Sequence, residues 1–172
     1  MYVILFSMPQ SDNNDDNRKK LLEESVQLEL NFGKLYRIFA NHFSEDNDFW
    51  WKLGIEENNH ASLLRSGIIF LESEAFPENW PFASMDAILQ SNKYVNELLE
   101  IYEHNAPARI KAFQIALEIE QSAAEAHYQE AMTSRGIQDS SGLITIFRDL
   151  NRADKDHSKR IREYMKKHEV VE

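Results

Sequence analysis

The sequence predicts an all-α fold, an antiparallel four-helix bundle with one long crossover that contains an extra helix. Its 172 residues include only five Gly and four Pro, too few for the many turns of a β-sandwich or barrel. Apolar residues recur at intervals of three and four over several long stretches, which is typical of amphipathic helices. We predict residues 1–17 to be a disordered lead-in and residues 18–172 to form a single domain.

Two helices are predicted in the first half of the chain, at about residues 18–41 and 46–74. The loop between them is short, so they should pack as an antiparallel hairpin. Ser44, Glu45 and Asp46 predict a cap at the start of the second helix, with acids in its first turn. The core-facing residues are Leu22, Val26, Phe32, Tyr36 and Phe39 in the first helix, and Trp50, Leu53, Ala61, Leu64 and Leu71 in the second.

The remaining predicted helices cover about residues 85–103, 106–134 and 143–168. Pro77 and Pro81 interrupt the chain before the third helix, because proline lacks the amide hydrogen that a helix interior needs. A short turn joins the last two helices, which should form a second antiparallel hairpin. The third helix therefore belongs to the crossover between the two hairpins.

Ionisable residues interrupt the apolar face of two of these helices. Asp154 and His157 stand in the middle of the stripe Leu143, Phe147, Leu150, Asp154, His157, Ile161 and Tyr164. An ionised carboxylate in such a position is costly unless a partner compensates its charge. The second helix repeats the pattern with Glu57 and His60. Residues three apart share a helix face, so each pair offers one ion a carboxylate and an imidazole.

The other two long helices carry a single acid each among apolar neighbours, Glu29 and Glu120. Glu118, by contrast, has polar neighbours and is predicted to face solvent. Small residues beside the two single acids leave room for an ion; they are Gly33, Ala123 and Ala124. Counted from the turn of each hairpin, the acids and histidines lie at matching heights near the middle of the helices.

Four carboxylates and two imidazoles should therefore converge in the core, from Glu29, Glu57, His60, Glu120, Asp154 and His157. Four negative charges balance two divalent ions, and this donor set suits iron or manganese and tolerates zinc. The alternative is a set of protonated or hydrogen-bonded core residues without metal. Glu56 would pair with His60 four residues later, but its neighbours are less apolar, and Asp156 is predicted to face solvent.

Composition excludes several other classes of protein. The net charge of −10 argues against nucleic acid as the main partner and against an anionic membrane surface, because both are bound by basic surfaces. The absence of Cys excludes disulfides, iron–sulfur and rubredoxin-type centres and a thiol nucleophile. No stretch approaches the roughly 18 apolar residues of a membrane span, and we expect a cytoplasmic protein.

The ligand pattern resembles that of a known family. One Glu on each of two helices, with Glu-x-x-His on each of the other two, is the plan of di-iron carboxylate bundles. Over about residues 21–165 the chain resembles the ferritin-like di-iron carboxylate superfamily, most closely rubrerythrin-like proteins. The similar motifs are Glu29 with Tyr36, residues 57–61 (ENNHA), Glu120 with Tyr128, and residues 153–160 (ADKDHSKR), which has Asp in place of Glu.

This resemblance implies a non-haem di-iron oxidoreductase that binds two iron ions and reacts with O₂ or hydrogen peroxide. It implies that Glu57 and Asp154 are the catalytic carboxylates that bridge the metals, with the other four predicted ligands terminal. Ala123, three residues after Glu120, is a departure, because rubrerythrins carry a second Glu at the corresponding position in the third helix of their bundle. Since the sequence has no Cys-bound iron centre, a separate electron-donor protein would be needed.

Other functions remain open from the sequence. A ferroxidase or iron-storage protein would use the same bundle, and a di-iron oxygenase would add a substrate pocket lined by residues such as Phe32, Phe113 or Phe147. A metal-free bundle would serve as an interaction module. Tyr36 and Tyr128 are either core aromatic residues or hydrogen-bonding and radical-quenching groups near the site. We expect the chain to form a homodimer.

Overall fold

The computed structural model describes residues 11–73, 85–128 and 142–170. Helices make up nearly all of this part of the chain and no strand occurs in it, which confirms the all-α prediction. The helices are α1 Ser11–His42, α2 Asn47–Ser73, α3 Met85–Tyr102, α4 Arg109–Tyr128 and α5 Gly142–Lys167. None of these described helices combines the length and the apolar composition needed to cross a membrane.

The start of α1 differs from the prediction. The sequence places residues 11–17 in a disordered lead-in, whereas α1 begins at Ser11. Aspartates are frequent in the first two turns of this helix, where carboxylates interact favourably with the helix dipole. The polar composition that indicates disorder is therefore also compatible with a helix N-terminus. Residues 1–10 lie outside the described part of the chain.

The other helix bounds agree closely with the prediction. α2, α3 and α5 begin and end within one residue of their predicted limits. α4 begins at Arg109 rather than at residue 106, because proline disfavours a helical conformation in the residue before it and Pro107 lies in this stretch. The predicted end of the fourth helix at residue 134 and the segment with Pro77 and Pro81 lie outside the described residues.

α1 and α2 pack against each other in opposite directions. Residues further along α1 contact residues earlier in α2: Glu29 contacts His60, Gly33 contacts Gly54, and Tyr36 contacts Trp50. The helices cross closely at the two glycines, since a Cβ atom on Gly33 would lie 3.2 Å from the carbonyl oxygen of Gly54. This close crossing lies one helical turn from Glu29.

α5 packs on both α4 and α2. The rings of Phe113 in α4 and Tyr164 in α5 have centroids 5.7 Å apart. Further along the pair, Glu120 of α4 lies beside His157 of α5. Because residue numbers rise in one helix as they fall in the other, α4 and α5 also run in opposite directions.

α3 runs alongside α1 and in the same direction. Asn31 donates a hydrogen bond to Asn92 at 3.4 Å, and the rings of Phe39 and Tyr102 have centroids 6.5 Å apart. α3 also packs on α4. It is the helix that we predicted between the two hairpins, and its Leu89 is 39% exposed.

A buried aromatic cluster lies next to the loop between α1 and α2. The Trp50 ring has centroid distances of 4.4 Å to Phe113, 5.2 Å to Phe39 and 5.8 Å to Tyr36. All four side chains are fully buried, which confirms the predicted core positions of these residues in α1 and α2. Trp51, next in sequence, is 49% exposed.

Asp46 anchors the same loop to the opposite helices. Its carboxylate accepts hydrogen bonds from Nε and Nη2 of Arg109, both at 2.7 Å, and from the Tyr164 hydroxyl at 3.0 Å. Its carbonyl oxygen accepts the amide hydrogen of Trp50 at 3.0 Å, in the first turn of α2. A buried carboxylate therefore fixes the start of α2 relative to α4 and α5.

Candidate metal centre

Five of the six predicted ligands meet in the core, and four helices supply them. Glu29 comes from α1, Glu57 and His60 from α2, Glu120 from α4 and His157 from α5. The three glutamates are each 1% exposed, and His157 is 2% exposed. His60 lies nearer the surface, with 12% of its side chain exposed. Glu57 and His60 point to the same side because they are three residues apart on one helix.

The first group of ligands consists of Glu29, Glu57 and His60. His60 Nδ1 lies 3.0 Å from Glu57 Oε2 and 3.5 Å from Glu29 Oε2. One potential ligand atom from each residue lies within 4.8 Å of the other two. This spacing allows the three side chains to bind one ion.

The second group consists of Glu57, Glu120 and His157. His157 Nδ1 lies 2.9 Å from Glu57 Oε1 and 3.3 Å from Glu120 Oε1. These three residues also bring ligand atoms within 4.8 Å of one another. All three are buried, so this half of the centre is shielded from solvent.

Glu57 belongs to both groups. Its Oε2 atom faces His60, whereas its Oε1 atom faces His157. The two imidazole rings lie nearly parallel, with centroids 5.3 Å apart and planes inclined by 18°. A carboxylate between two such groups is placed to offer one oxygen to each of two ions.

Two buried ligand atoms in this centre have no aligned hydrogen-bond partner among the described residues. They are Glu57 Oε1 and His157 Nδ1, which are nevertheless only 2.9 Å apart. Buried polar atoms are normally hydrogen-bonded or bound to a metal. Carboxylate oxygens with imidazole nitrogens are a donor set that suits iron, manganese or zinc. The residues present therefore fit a metal ion.

The acids around the two histidines raise the pKa of both imidazoles. Burial lowers the pKa of His60, but hydrogen bonds to Glu29 and Glu57 outweigh that effect and raise it to about 10. Burial likewise opposes the charged form of His157, yet the charge of Glu57 and hydrogen bonds to Glu120, Glu56 and Glu57 raise its pKa. Burial and the nearby Glu120 charge favour protonation of Glu57, but the two histidines lower its pKa overall. Protons on the two histidines therefore offset part of the charge of the three carboxylates.

Tyr36 joins the aromatic cluster to the candidate centre. Its side chain is fully buried, and its hydroxyl donates a hydrogen bond of 2.5 Å to Glu120 Oε1. The ring also stacks on Trp50. Tyr36 is thus a core aromatic residue whose hydroxyl hydrogen-bonds to a candidate ligand, while its predicted radical-quenching role stays a prediction. The side chain of Tyr128 is outside the described part.

Glu56 and Arg160 also contact this cluster, although the sequence did not single out Arg160 and gave Glu56 a different partner. Glu56 Oε2 lies 3.1 Å from His157 Nε2, whereas the sequence suggested a pairing with His60. Both guanidinium Nη atoms of Arg160 donate to the Glu56 carboxylate. Because residues three apart share a helix face, the spacing of His157 and Arg160 could have indicated from the sequence that Arg160 lies beside the centre.

Asp154, the sixth predicted ligand, lies in α5, but its side chain is outside the described part, as are those of Phe147, Ala123 and Ala124. Asp156 and Glu118 are exposed, as expected. The structure therefore brings together Glu29, Glu57, His60, Glu120 and His157, and leaves the predicted role of Asp154 as a prediction.

Comparisons with known proteins give no relative for this chain. No protein-family model, curated protein or solved structure matches it. The class that the fold and the site define is an all-α protein with a buried cluster of Glu and His side chains that can hold a metal ion.

Proposed function

We propose that this chain is a ferritin-like di-metal carboxylate protein, similar to rubrerythrins, that binds two iron ions and acts as an oxidoreductase on O₂ or hydrogen peroxide. The observation that carries the proposal is the pair of adjoining ligand groups that share Glu57. A single buried acid–histidine pair is common in protein cores. Two such groups, built by four helices around one shared carboxylate, are the plan of a dinuclear centre.

The arrangement of the helices supports a ferritin-like bundle. α1 packs on α2, α2 on α5 and α5 on α4, and the hydrogen bond from Tyr36 to Glu120 links α4 back to α1. Both hairpins are antiparallel, and α3 stands in the connection between them. Two antiparallel hairpins with one long crossover form the bundle topology in which di-metal carboxylate sites occur.

Each half of the centre has its own ligands. Glu29 and His60 would hold one ion, Glu120 and His157 the other, and Glu57 would bridge the two. Asp154, three residues before His157 in α5, would be the second bridging carboxylate, as the resemblance to rubrerythrins implies. Manganese or zinc would occupy the same ligands in place of iron. When bound, ferrous iron supplies the electrons that reduce O₂ or peroxide.

The surrounding side chains prepare the centre for this chemistry. Tyr36 donates a hydrogen bond to Glu120 Oε1, the oxygen that also lies 3.3 Å from His157 Nδ1, and this bond restrains the orientation of the carboxylate. Trp50, fully buried, stacks on the Tyr36 ring and packs on Phe113, so the Tyr36 side of the cluster is enclosed by aromatic side chains. His60, more exposed than His157, marks the side from which a small oxidant reaches the centre.

The proposal includes partners that supply electrons and complete the assembly. Because the sequence has no Cys, a rubredoxin-type electron relay is absent from it, and a separate donor protein would reduce the centre after each turnover. We propose that the protein acts as a homodimer. Sedimentation at equilibrium tests the dimer, since a ferritin-type cage would have a far larger mass.

Metal analysis tests the central claim. Protein purified without added metal, and again after anaerobic addition of Fe²⁺ and removal of excess, is analysed for metal content and by optical spectroscopy before and after peroxide. The expected result is two iron ions per chain after reconstitution and a new ligand-to-metal absorption band after oxidation. The matched variants are His60→Ala and His157→Ala, each of which should lose one ion.

A different result would identify the alternative functions. Absence of bound iron after reconstitution would contradict the metal centre and favour a metal-free bundle. Two bound ions that oxidise Fe²⁺ but show no peroxide turnover with an external donor would favour a ferroxidase. A rate of peroxide reduction that rises with a reduced donor protein would support the proposed oxidoreductase.

A further inference from the structure

The imidazole of His157 is held from both sides. Its Nδ1 atom faces Glu57 and Glu120 inside the candidate centre. Its Nε2 atom lies 3.1 Å from Glu56 Oε2, on the outer side. A hydrogen atom on Nε2 directed at Glu56 leaves the Nδ1 lone pair facing the centre, which is the tautomer that a metal ligand needs.

Glu56 is itself fixed by a second contact. Both Nη atoms of Arg160 donate to its two carboxylate oxygens, a bidentate arrangement that orients a carboxylate more strictly than a single hydrogen bond. Arg160 is three residues after His157 in α5, whereas Glu56 belongs to α2. The contacts therefore link the two helices that carry the histidines.

His60 has no equivalent support among the described residues. Its contacts with acids are made by Nδ1, to Glu29 and Glu57, and no acid in the described part of the chain contacts its Nε2 atom. The two histidines are thus unequally restrained, although both share Glu57.

We infer that Glu56 and Arg160 are positioning residues that orient His157 as a metal ligand through its Nδ1 atom. This inference rests on the metal centre proposed above. Glu56 does not touch the ion; it acts through the imidazole ring, and Arg160 acts through Glu56. One of the two metal positions, the one held by His157, therefore depends on a chain of contacts from α5 to α2 and back.

The test uses Co²⁺ titration of the full chain, followed by visible absorption and by proton NMR of the Co²⁺-loaded protein. Glu56→Leu removes the acceptor of the Nε2 hydrogen. The double variant Glu56→Leu with Arg160→Leu removes both charges together, so that no guanidinium is left without its partner. Glu56→Gln keeps an acceptor oxygen and should therefore retain part of the wild-type affinity for Co²⁺. Asp156→Asn is the matched control.

Asp156 is a suitable control because its carboxylate also pairs with Arg160, at 2.8 Å. It is exposed, and the structure shows no contact between it and the His157 ring among the described residues. Asp156→Asn therefore removes an acidic partner of Arg160 without removing the acceptor of the Nε2 hydrogen. Any effect specific to the orientation of His157 should be absent from this variant.

The expected result is a loss of affinity for one of the two Co²⁺ ions by roughly 10- to 100-fold in Glu56→Leu and in the double variant. The exchangeable, paramagnetically shifted Nε2 proton of His157 should be present in the wild type and lost to solvent exchange in both variants. The Co²⁺ affinity of Glu56→Gln should lie between that of the wild type and that of Glu56→Leu, and Asp156→Asn should match the wild type.

Two outcomes would overturn the inference in different ways. Wild-type affinity for both ions in Glu56→Leu, or an equal loss in Asp156→Asn, would reject the positioning role while leaving the metal centre intact. A wild-type chain that binds no Co²⁺ would reject the metal centre itself, and the positioning role with it.

Discussion

Glu57 is the one side chain common to both ligand groups, which makes its replacement the sharpest test of the dinuclear arrangement. Glu57→Gln keeps the size of the side chain but removes the charge and one of the two ligand oxygens. Since Oε2 faces His60 and Oε1 faces His157, both ions should be affected. Glu29→Gln and Glu120→Gln should each affect a single ion, because each belongs to one group.

The size of the effect follows from the coupling of binding to folding. An ion present at a hundred times its dissociation constant stabilises the native state by about 2.7 kcal/mol. For a chain of 172 residues, each kcal/mol shifts the melting temperature by about 2–4 °C. Two such ions stabilise the native state by about 5.4 kcal/mol, so chelation should lower the melting temperature of the wild type by about 11–22 °C. Glu29→Gln and Glu120→Gln, which each affect one ion, should retain about half of this shift.

Differential scanning calorimetry with and without Co²⁺, together with metal analysis of each variant, measures these effects. Glu57→Gln should show almost no difference between the two conditions and no tightly bound ion. Retention of one tight ion in Glu57→Gln, or a metal-dependent shift equal to that of Glu29→Gln, would refute the idea that Glu57 is shared. The metal-free melting temperature of each variant is the internal control for damage to the fold.

Three further predictions concern the structure around the centre. Arg109→Met leaves the Asp46 carboxylate buried without its charged partner. It should lower the free energy of unfolding by about 3 kcal/mol and the melting temperature by about 6–12 °C. Glu45→Gln removes an exposed partner of the same guanidinium and should have almost no effect on stability. Burial and the hydrogen bond to Asp46 raise the pKa of Tyr164 to about 12. Its contribution to stability should therefore persist up to a pH of about 10, the ordinary tyrosine pKa, and disappear as the pH rises through 12. Tyrosinate absorbance and the free energy of unfolding should change together over this range, and Tyr164→Phe should abolish this part of the pH profile. Gly33→Ala places a Cβ atom 3.2 Å from a carbonyl oxygen of α2 and should destabilise the chain by about 1–3 kcal/mol, whereas a rise in stability would show that the helices separate at no cost.

The helical fold could be predicted because its signals are local. Apolar spacing of three and four gave the faces of α1 and α2, and the prolines and short turns gave the breaks between helices. The early start of α1 at Ser11 was missed because its polar residues carry no core-facing pattern. Composition alone does not separate a solvated helix N-terminus from a disordered lead-in.

The candidate ligands could be predicted for a related reason. Glu29, Glu57 and Glu120 interrupt apolar faces, and a charge in such a place needs a partner. For Glu56 the sequence offered only a disfavoured pairing with His60, because both residues lie on the same helix. Its actual partners, His157 and Arg160, come from α5, and no periodicity within α2 indicates them.

Asp46 shows the same limit at the other end of the core. The sequence identified it as part of the acidic cap of α2, and its carbonyl oxygen does accept the amide hydrogen of Trp50. Its burial against Arg109 and Tyr164 depends on residues that are distant in the chain. Local patterns thus predict which side chains are constrained, whereas the tertiary packing decides what constrains them.

The hydrogen bonding of the cluster favours a metal centre over a metal-free polar core. Protons on His60 and His157 would balance much of the charge of the acids, so charge balance alone does not distinguish the two. A core built around those protons would be expected to align its hydrogen bonds, because an unaligned buried polar group is costly. Yet Glu57 Oε1 and His157 Nδ1 lie 2.9 Å apart without an aligned partner in the described part of the chain. A cation bound to both atoms would satisfy them together, and the ligand atoms of Glu57, Glu120 and His157 lie close enough to one another to share one ion.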